Sequence, residues 1–285
     1  MVIVRMVGGV GNQLFCYAYA KSLQQKGYDV KIDISTFKFN KIDSYEFDKY
    51  NIDIPISTQE ENERLFNNSL LSKILKRFGI DISNKVREKS LLFDESLLRI
   101  NDNSYVDGYF QNEKYFYDIR DIILEQISIN RPLSNFTKII QKKINSLNNT
   151  CSIHVRRGDM ANDINVKIHG VCSVEYYNNA IEYLKNKLGE VNYFIFSDDF
   201  EWCRSNLKID NAIFVESDEH RIAHEDIYLM SLCDHNIIAN STFSWWGAWL
   251  NDNVSQISIA PMEWFKDKKY QKQSQDIVPN GWIKI

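Results

Sequence analysis

The chain has 285 residues, 44% hydrophobic and 25% charged, which is enough apolar content for one or two folded domains with a real core. Its 34 basic and 38 acidic residues leave a net charge of −4, which excludes a general nucleic-acid binder, because contacts along a phosphate backbone need a basic surface. Any anion site must therefore be a local positive pocket.

Val2 to Val7 forms an apolar run that reads as a buried strand, and Gly8 to Gly11 reads as a tight turn. The pattern then predicts a helix over Asn12 to Lys26, with Leu14, Phe15, Ala18 and Leu23 on one face and Gly27 as its stop. Tyr28 to Asp33 returns as a second strand, so the first unit opens as a βαβ unit with a parallel sheet. Residues 35–103 are rich in Asn, Asp, Lys and Ser, with helical patches near 59–66 and 69–78. Ser104 to Phe110 reads as a strand, and 112–129 and 134–147 read as helices interrupted by Pro132.

A second alternating series begins at Thr150. Strands at 150–156, 192–197, 212–216, 236–240 and 256–260 alternate with helices at 174–188, 199–206, 224–234 and 243–251. The composition breaks near 131–149, and a division into 1–145 and 146–285 is expected. The opening run is too short for a signal peptide, and no later run approaches a membrane span, so a soluble, cytoplasmic protein is expected. Five cysteines (Cys16, Cys151, Cys172, Cys203 and Cys233) without C-x-x-C spacing form neither a disulfide framework nor a zinc signature and favour a reducing compartment.

Four segments could carry chemistry. H-V-R-R-G-D, His154 to Asp159, follows the short strand ending in Ile153 and Val155. Two adjacent guanidiniums, Arg156 and Arg157, at a strand end need anionic partners, and the fork of arginine suits a phosphate. G-G-V-G-N-Q, Gly8 to Gln13, offers backbone N–H groups at a helix start and the directional side chains of Asn12 and Gln13. It also half-fits a dinucleotide fingerprint, with Gly9, Gly11 and Asp33 in place but Leu14 where the third glycine belongs. S-D-D, Ser197 to Asp199, puts carboxylates after a strand, where they could accept from a base or a ribose, bind a metal, or cap the next helix. In N-S-T-F-S-W-W-G-A-W, Asn240 to Trp249, the hydroxyls of Ser241, Thr242 and Ser244 gather at a helix start. At least two of Trp245, Trp246 and Trp249 are expected in the core. His220 and His224 lack a third ligand and read as surface residues, while His169 lies in a loop where a proton acceptor could act.

Together these segments, with H-G-V-C-S-V-E-Y-Y at 169–177 and F-S-D-D-F-E-W-C at 196–203, resemble the prokaryotic α-1,2-fucosyltransferases of glycosyltransferase family 11. Cys16 and Met160 depart from the residues common there, and 35–105 carries no anchor. The resemblance implies an α/β, GT-B-like fold with two Rossmann-type domains facing a central cleft, the first on the acceptor side and the second binding GDP-fucose. It implies an inverting transfer from GDP-β-L-fucose to the 2-hydroxyl of a terminal galactose, with no metal and no cofactor beyond that donor. Arg156 would be the essential arginine, with Arg157 assisting. Ser244 and Thr242 would donate to the phosphates, Phe243 would line the GDP-fucose site, His154 would place the nucleotide, Asp199 or Asp198 would read guanine, and Asn12 would lie near the fucose. Asp159 or His169 would be the base. The partners implied are GDP-fucose and a galactose-terminated glycan, with no nucleic acid. A lipid-linked acceptor in O-antigen assembly would bring the protein to the inner face of the membrane. An NAD(P)-linked oxidoreductase and a non-catalytic GDP-sugar-binding protein are the alternatives.

Overall fold

The computed structural model describes residues 1–38, 44–66, 84–157, 163–217 and 222–285. The chain divides into two compact units, Met1–Asn130 and Arg131–Ile285.

In the first unit, β1 (Val2–Arg5), β2 (Val30–Asp33), β3 (Lys85–Arg87) and β4 (Ser104–Asp107) form a parallel sheet in the order β2-β1-β4-β3. Val2 pairs with both Val30 and Ser104, so β1 is central and fully apolar on its buried positions. The helix α1 (Val10–Gln25) starts two residues earlier than the sequence suggests, with Gly9 as its N-cap. Gly8, at φ +70°, makes the turn, and a Cβ there would stand 2.5 Å from Asn12 Nδ2, so this position accepts only glycine. An aromatic core closes over α1, with Tyr19 stacked on Phe110 at 3.9 Å and edge-on to Tyr115.

The helical patch near 59–66 is α2 (Gln59–Phe66), whereas the patch at 69–78 lies outside the described residues. The expected helix 112–129 is instead two 3-10 turns, Glu113–Tyr115 and Tyr117–Ile119, followed by α3 (Arg120–Gln126). Asn112 caps the first turn through Lys114 N–H, and Phe116 leaves helical geometry at φ −143°, which lets the consecutive Tyr115 and Phe116 both be buried. The strand expected to reach Phe110 stops at Asp107, because the Glu88 carboxylate accepts the N–H groups of Tyr109 and Phe110 and draws them out of the ladder.

The second unit comprises α4 (Asn135–Asn145), β5 (Thr150–Val155), α5 (Asp163–Ile168), α6 (Val174–Leu188), β6 (Asn192–Ser197) and α7 (Phe200–Asn206). It continues through β7 (Ala212–Phe214), α8 (Ala223–Leu232), β8 (His235–Ile237), α9 (Thr242–Trp249), β9 (Ser258–Ala260), α10 (Lys268–Lys272) and β10 (Ile283–Lys284). Its parallel sheet runs β10-β9-β8-β5-β6-β7, the doubly wound Rossmann order, with the topological switch between β5 and β8. Trp245, Trp246 and Trp249 are all buried.

The division falls after Asn130 rather than at 145/146, because α4 is tied to α8. The buried Glu225 carboxylate accepts from Ser134 N–H at 2.9 Å, Ser134 Oγ at 2.7 Å and Thr137 Oγ1, and Gln141 donates to Tyr228. Burial alone would raise the Glu225 pKa, but the donors from Thr137 and Ser134 hold it below its ordinary value near 4.5. A depressed folded pKa contributes stability that is present above the ordinary value and lost as pH falls through the lowered one. Glu225→Gln should therefore cost about 1–3 kcal/mol at pH 7 and less at pH 3.5, read from urea unfolding midpoints at both pH values. An equal cost at both would contradict the assignment.

Candidate functional site

Ligands of open α/β sheets bind outside the carboxyl ends of the strands at the topological switch. In the second unit, the residues at that point are Arg156 and Arg157, after β5, and Asn240 to Phe243, after β8. Arg156 Nη1 donates across the switch to Ser241 Oγ at 3.4 Å. Ser241 is the N-cap of α9 and accepts from Phe243 N–H, while Thr242 and Phe243 remain partly exposed at the helix start. His154 is buried on β5 with its ring 5.3 Å from that of Phe243, and its carbonyl accepts from Tyr177 OH. A guanidinium, a helix N-terminus and hydroxyls thus converge on one spot, which suits an anion in a protein of net negative charge.

Arg157 is held differently. Its N–H donates to Asp198 Oδ1 at 2.8 Å, its Nε stands 3.6 Å from Asp199 Oδ2, and its guanidinium lies 4.2 Å over Trp202. Asp199 also caps α7 through Trp202 N–H, so one of the two carboxylates serves the helix start as the cap reading expects. Asp198 is exposed. Ser244 is 1% exposed, and its hydroxyl donates to Ser241 O within α9; Thr242 and the backbone N–H groups are the more accessible donors.

His169 sits beside this point because of Asn240, which the sequence alone did not single out. The buried Asn240 amide donates to His169 O at 2.9 Å, Trp264 O at 3.1 Å and Gly170 O at 3.3 Å. Its Oδ1 accepts from Cys172 Sγ, whose thiol is pushed up to about 11 by burial. The His169 ring faces Phe265 at 5.2 Å. Asp159 and His220 lie outside the described residues. His224, expected at the surface, is buried in α8. Among the described residues no group of three His, Cys, Asp or Glu side chains could hold a metal ion, and no helix is long and apolar enough to cross a membrane.

In the first unit, Asn12 lies at the corresponding switch between β1 and β4, where its Oδ1 accepts from Gln111 Nε2 at 2.8 Å. Gln13 is fully buried and engaged with Gly8 O, Ser44 O and Glu46 N–H, so it braces the turn and offers nothing to a ligand. Asp33 is 3% exposed, with one oxygen on Ser35 N–H and the other on Tyr105 OH. It cannot hold a ribose, and the dinucleotide alternative loses its acid.

Two parallel α/β sheets, the second with a guanidinium and a helix start converging at its switch point, fit the class of GT-B-like glycosyltransferases. The model of "Glycosyl transferase family 11" matches residues 1–285, and the chain belongs to that family. It is 33% identical over 297 residues to an alpha-1,2-colitosyltransferase of Escherichia coli, covering 100% of this chain and 99% of the relative. It is 32% identical over 300 residues to the O-antigen biosynthesis glycosyltransferase WbnK of Escherichia coli, with 98% of each covered. Among solved structures, that of the alpha-1,6-fucosyltransferase NodZ of Bradyrhizobium, soaked with GDP-fucose, superposes with a TM-score of 0.50. That match has 15% identity and covers 87% of this chain and 91% of that one. The likeness is one of fold, and the fold is α/β and GT-B-like.

Proposed function

We propose that the protein moves L-fucose from GDP-β-L-fucose to the 2-hydroxyl of a terminal galactose, with inversion and without a metal. The observation that carries this reading is the convergence of Arg156 with Ser241 and the start of α9 at the β5/β8 switch. When GDP departs, negative charge collects on the β-phosphate and cationic character on the sugar. Donors fixed in advance at that phosphate lower the barrier without reorganisation. Arg156 supplies the charge there, aided by Thr242 and the α9 N–H groups. Arg157, braced by Asp198, Asp199 and Trp202, keeps the loop in register. His154 and Phe243 flank the nucleotide, and Asp198 offers an exposed carboxylate to guanine. Asn12, fixed by Gln111, hydrogen-bonds the fucose. Asp159 or His169 takes the acceptor proton.

The colitosyltransferase relative supports a second donor reading, a colitosyl nucleotide, on the same machinery. The O-antigen biosynthesis relative supports an O-antigen glycan as acceptor, and we place that glycan on a lipid carrier at the cytoplasmic face of the membrane. The test is GDP release from GDP-fucose, with and without lactose, in excess EDTA. Lactose-stimulated release with a fucosylated trisaccharide, its linkage read by NMR, is the expected result. Faster release from the colitosyl donor would favour the second reading. GDP binding without release from either donor, across a panel of galactosides, would favour a non-catalytic sugar-nucleotide binder.

A further inference from the structure

Asn12 is fixed by Gln111, and Gln111 belongs to a turn that carries two unfavourable features. We infer that Glu88, one residue past β3, is a positioning residue of the transfer, acting through this turn and Gln111 on Asn12. The inference rests on the transferase reading above, in which Asn12 meets the fucose.

β4 ends at Asp107, and the chain then turns through Gly108 to Asn112. Phe110 stands at φ +51°, in the left-handed region that a bulky side chain rarely occupies. Its ring is buried against Tyr19 and Tyr115. Its carbonyl accepts from Asn112 N–H at 2.7 Å, so Gln111 sits at the tip of a three-residue turn. That backbone brings the buried Gln111 amide to Asn12, where Nε2 donates to Asn12 Oδ1 at 2.8 Å.

Glu88 holds the strained stretch. A single oxygen, Oε2, accepts from Tyr109 N–H at 2.7 Å and from Phe110 N–H at 3.2 Å. Gly108 makes room for it, because a Cβ there would stand 2.6 Å from Glu88 Cβ and 2.9 Å from Oε2. The other oxygen, Oε1, is buried with no hydrogen-bond partner among the described residues. The cations nearby, Arg5, Lys85 and Arg87, are all on Asp107.

A left-handed phenylalanine and a buried carboxylate oxygen without a donor each cost stability. Strain of this kind persists where placement matters, and a turn that merely ended β4 would need neither feature. Here both stand in the turn that fixes Asn12.

The test is kinetic. Glu88→Ala, Glu88→Asp and Glu88→Gln are made alone and together with Asn12→Ala. Lactose-stimulated GDP release from GDP-fucose is measured beside GDP affinity by calorimetry. Glu88→Ala should lower kcat about 10²-fold, the loss for a displacement near 1 Å, with GDP affinity within about twofold of the parent. Glu88→Gln keeps an oxygen at full reach for both N–H groups and should stay within about threefold of the parent. Glu88→Asp keeps the charge but withdraws the oxygen, and should lose about tenfold. The order of these two mild variants is decisive even where Glu88→Ala does not fold. Because Glu88 acts through Asn12, none of the three should lower kcat by more than about twofold further once Asn12 is replaced.

A carboxylate acting by its charge gives the reverse order, with Asp above Gln, and a merely structural role multiplies the losses in the double variants. Either result overturns the role of Glu88, as do single Glu88 variants with parental kcat. Asn12→Ala at parental kcat, or a parent that releases no GDP from GDP-fucose with any galactoside, overturns the transferase reading beneath it instead.

Discussion

Arg156→Ala is expected to lower turnover about 10³-fold or more while moving the unfolding free energy by less than about 1 kcal/mol. Arg156 is only partly buried, and truncating a partly exposed side chain usually moves stability little. Its proposed partner is the β-phosphate, where charge grows most as the sugar–oxygen bond breaks. A preorganised donor at such a point is worth about 10²–10³ in rate, and an arginine facing a phosphoryl group up to ~10⁵. Arg156→Lys should recover only part of the loss, because an ammonium keeps the charge but not the planar fork. Arg157→Ala makes the contrast: its guanidinium is already shared between Asp199 and Trp202, so the loss should be smaller in rate and larger in stability. The measurements are single-turnover GDP release and urea unfolding on all three variants. Near-normal turnover of Arg156→Ala would remove the central role from this residue.

The alternation of strand and helix was legible from residue 150 onward because the strands are short runs with apolar residues at alternate positions, as Cys151, Ile153 and Val155 show in β5. The arginine pair and the hydroxyl-rich helix start were legible for the same reason, since each stands where such a run ends. Strand order was not legible. β5 pairs with β8 across more than eighty residues, and nothing local in Cys151 or His235 announces that they are partners. β3 was missed because three residues, Lys85 to Arg87, cannot establish a period. The helix expected over 112–129 failed because burying Tyr115 and Phe116 together outweighs helical propensity in that stretch. Asp33 and Gln13 look like ligand groups in the sequence, yet Tyr105 and the Ser44–Glu46 segment occupy them in the fold. Asn240 is the reverse case: its partners lie 24 to 71 residues away, so its role appears only in three dimensions.

Asn240→Leu is expected to cost about 2–5 kcal/mol of stability, the range for leaving two or three buried carbonyls without donors. Leu keeps the branching of the side chain and is somewhat larger than Asn, so the loss does not come from a cavity. His169 O, Gly170 O and Trp264 O would lose the amide that gathers them, and the loop bearing His169 would shift relative to the switch point. A displacement near 1 Å in such a position costs about 10²-fold in rate, so turnover should fall by that order even at temperatures where the variant is folded. Asn240→Asp separates the hydrogen bonds from mere packing. A carboxylate facing three carbonyl oxygens is repelled, whereas its protonated form can donate one O–H. The folded-state pKa of that aspartate is raised, so its stabilising contribution is present at low pH and disappears as pH rises through the raised value. The Asp variant should therefore gain stability relative to the Leu variant as pH falls from 8 to 5, measured by urea unfolding. A constant difference between the two variants over that range would mean that the Asn240 amide does not hold the loop.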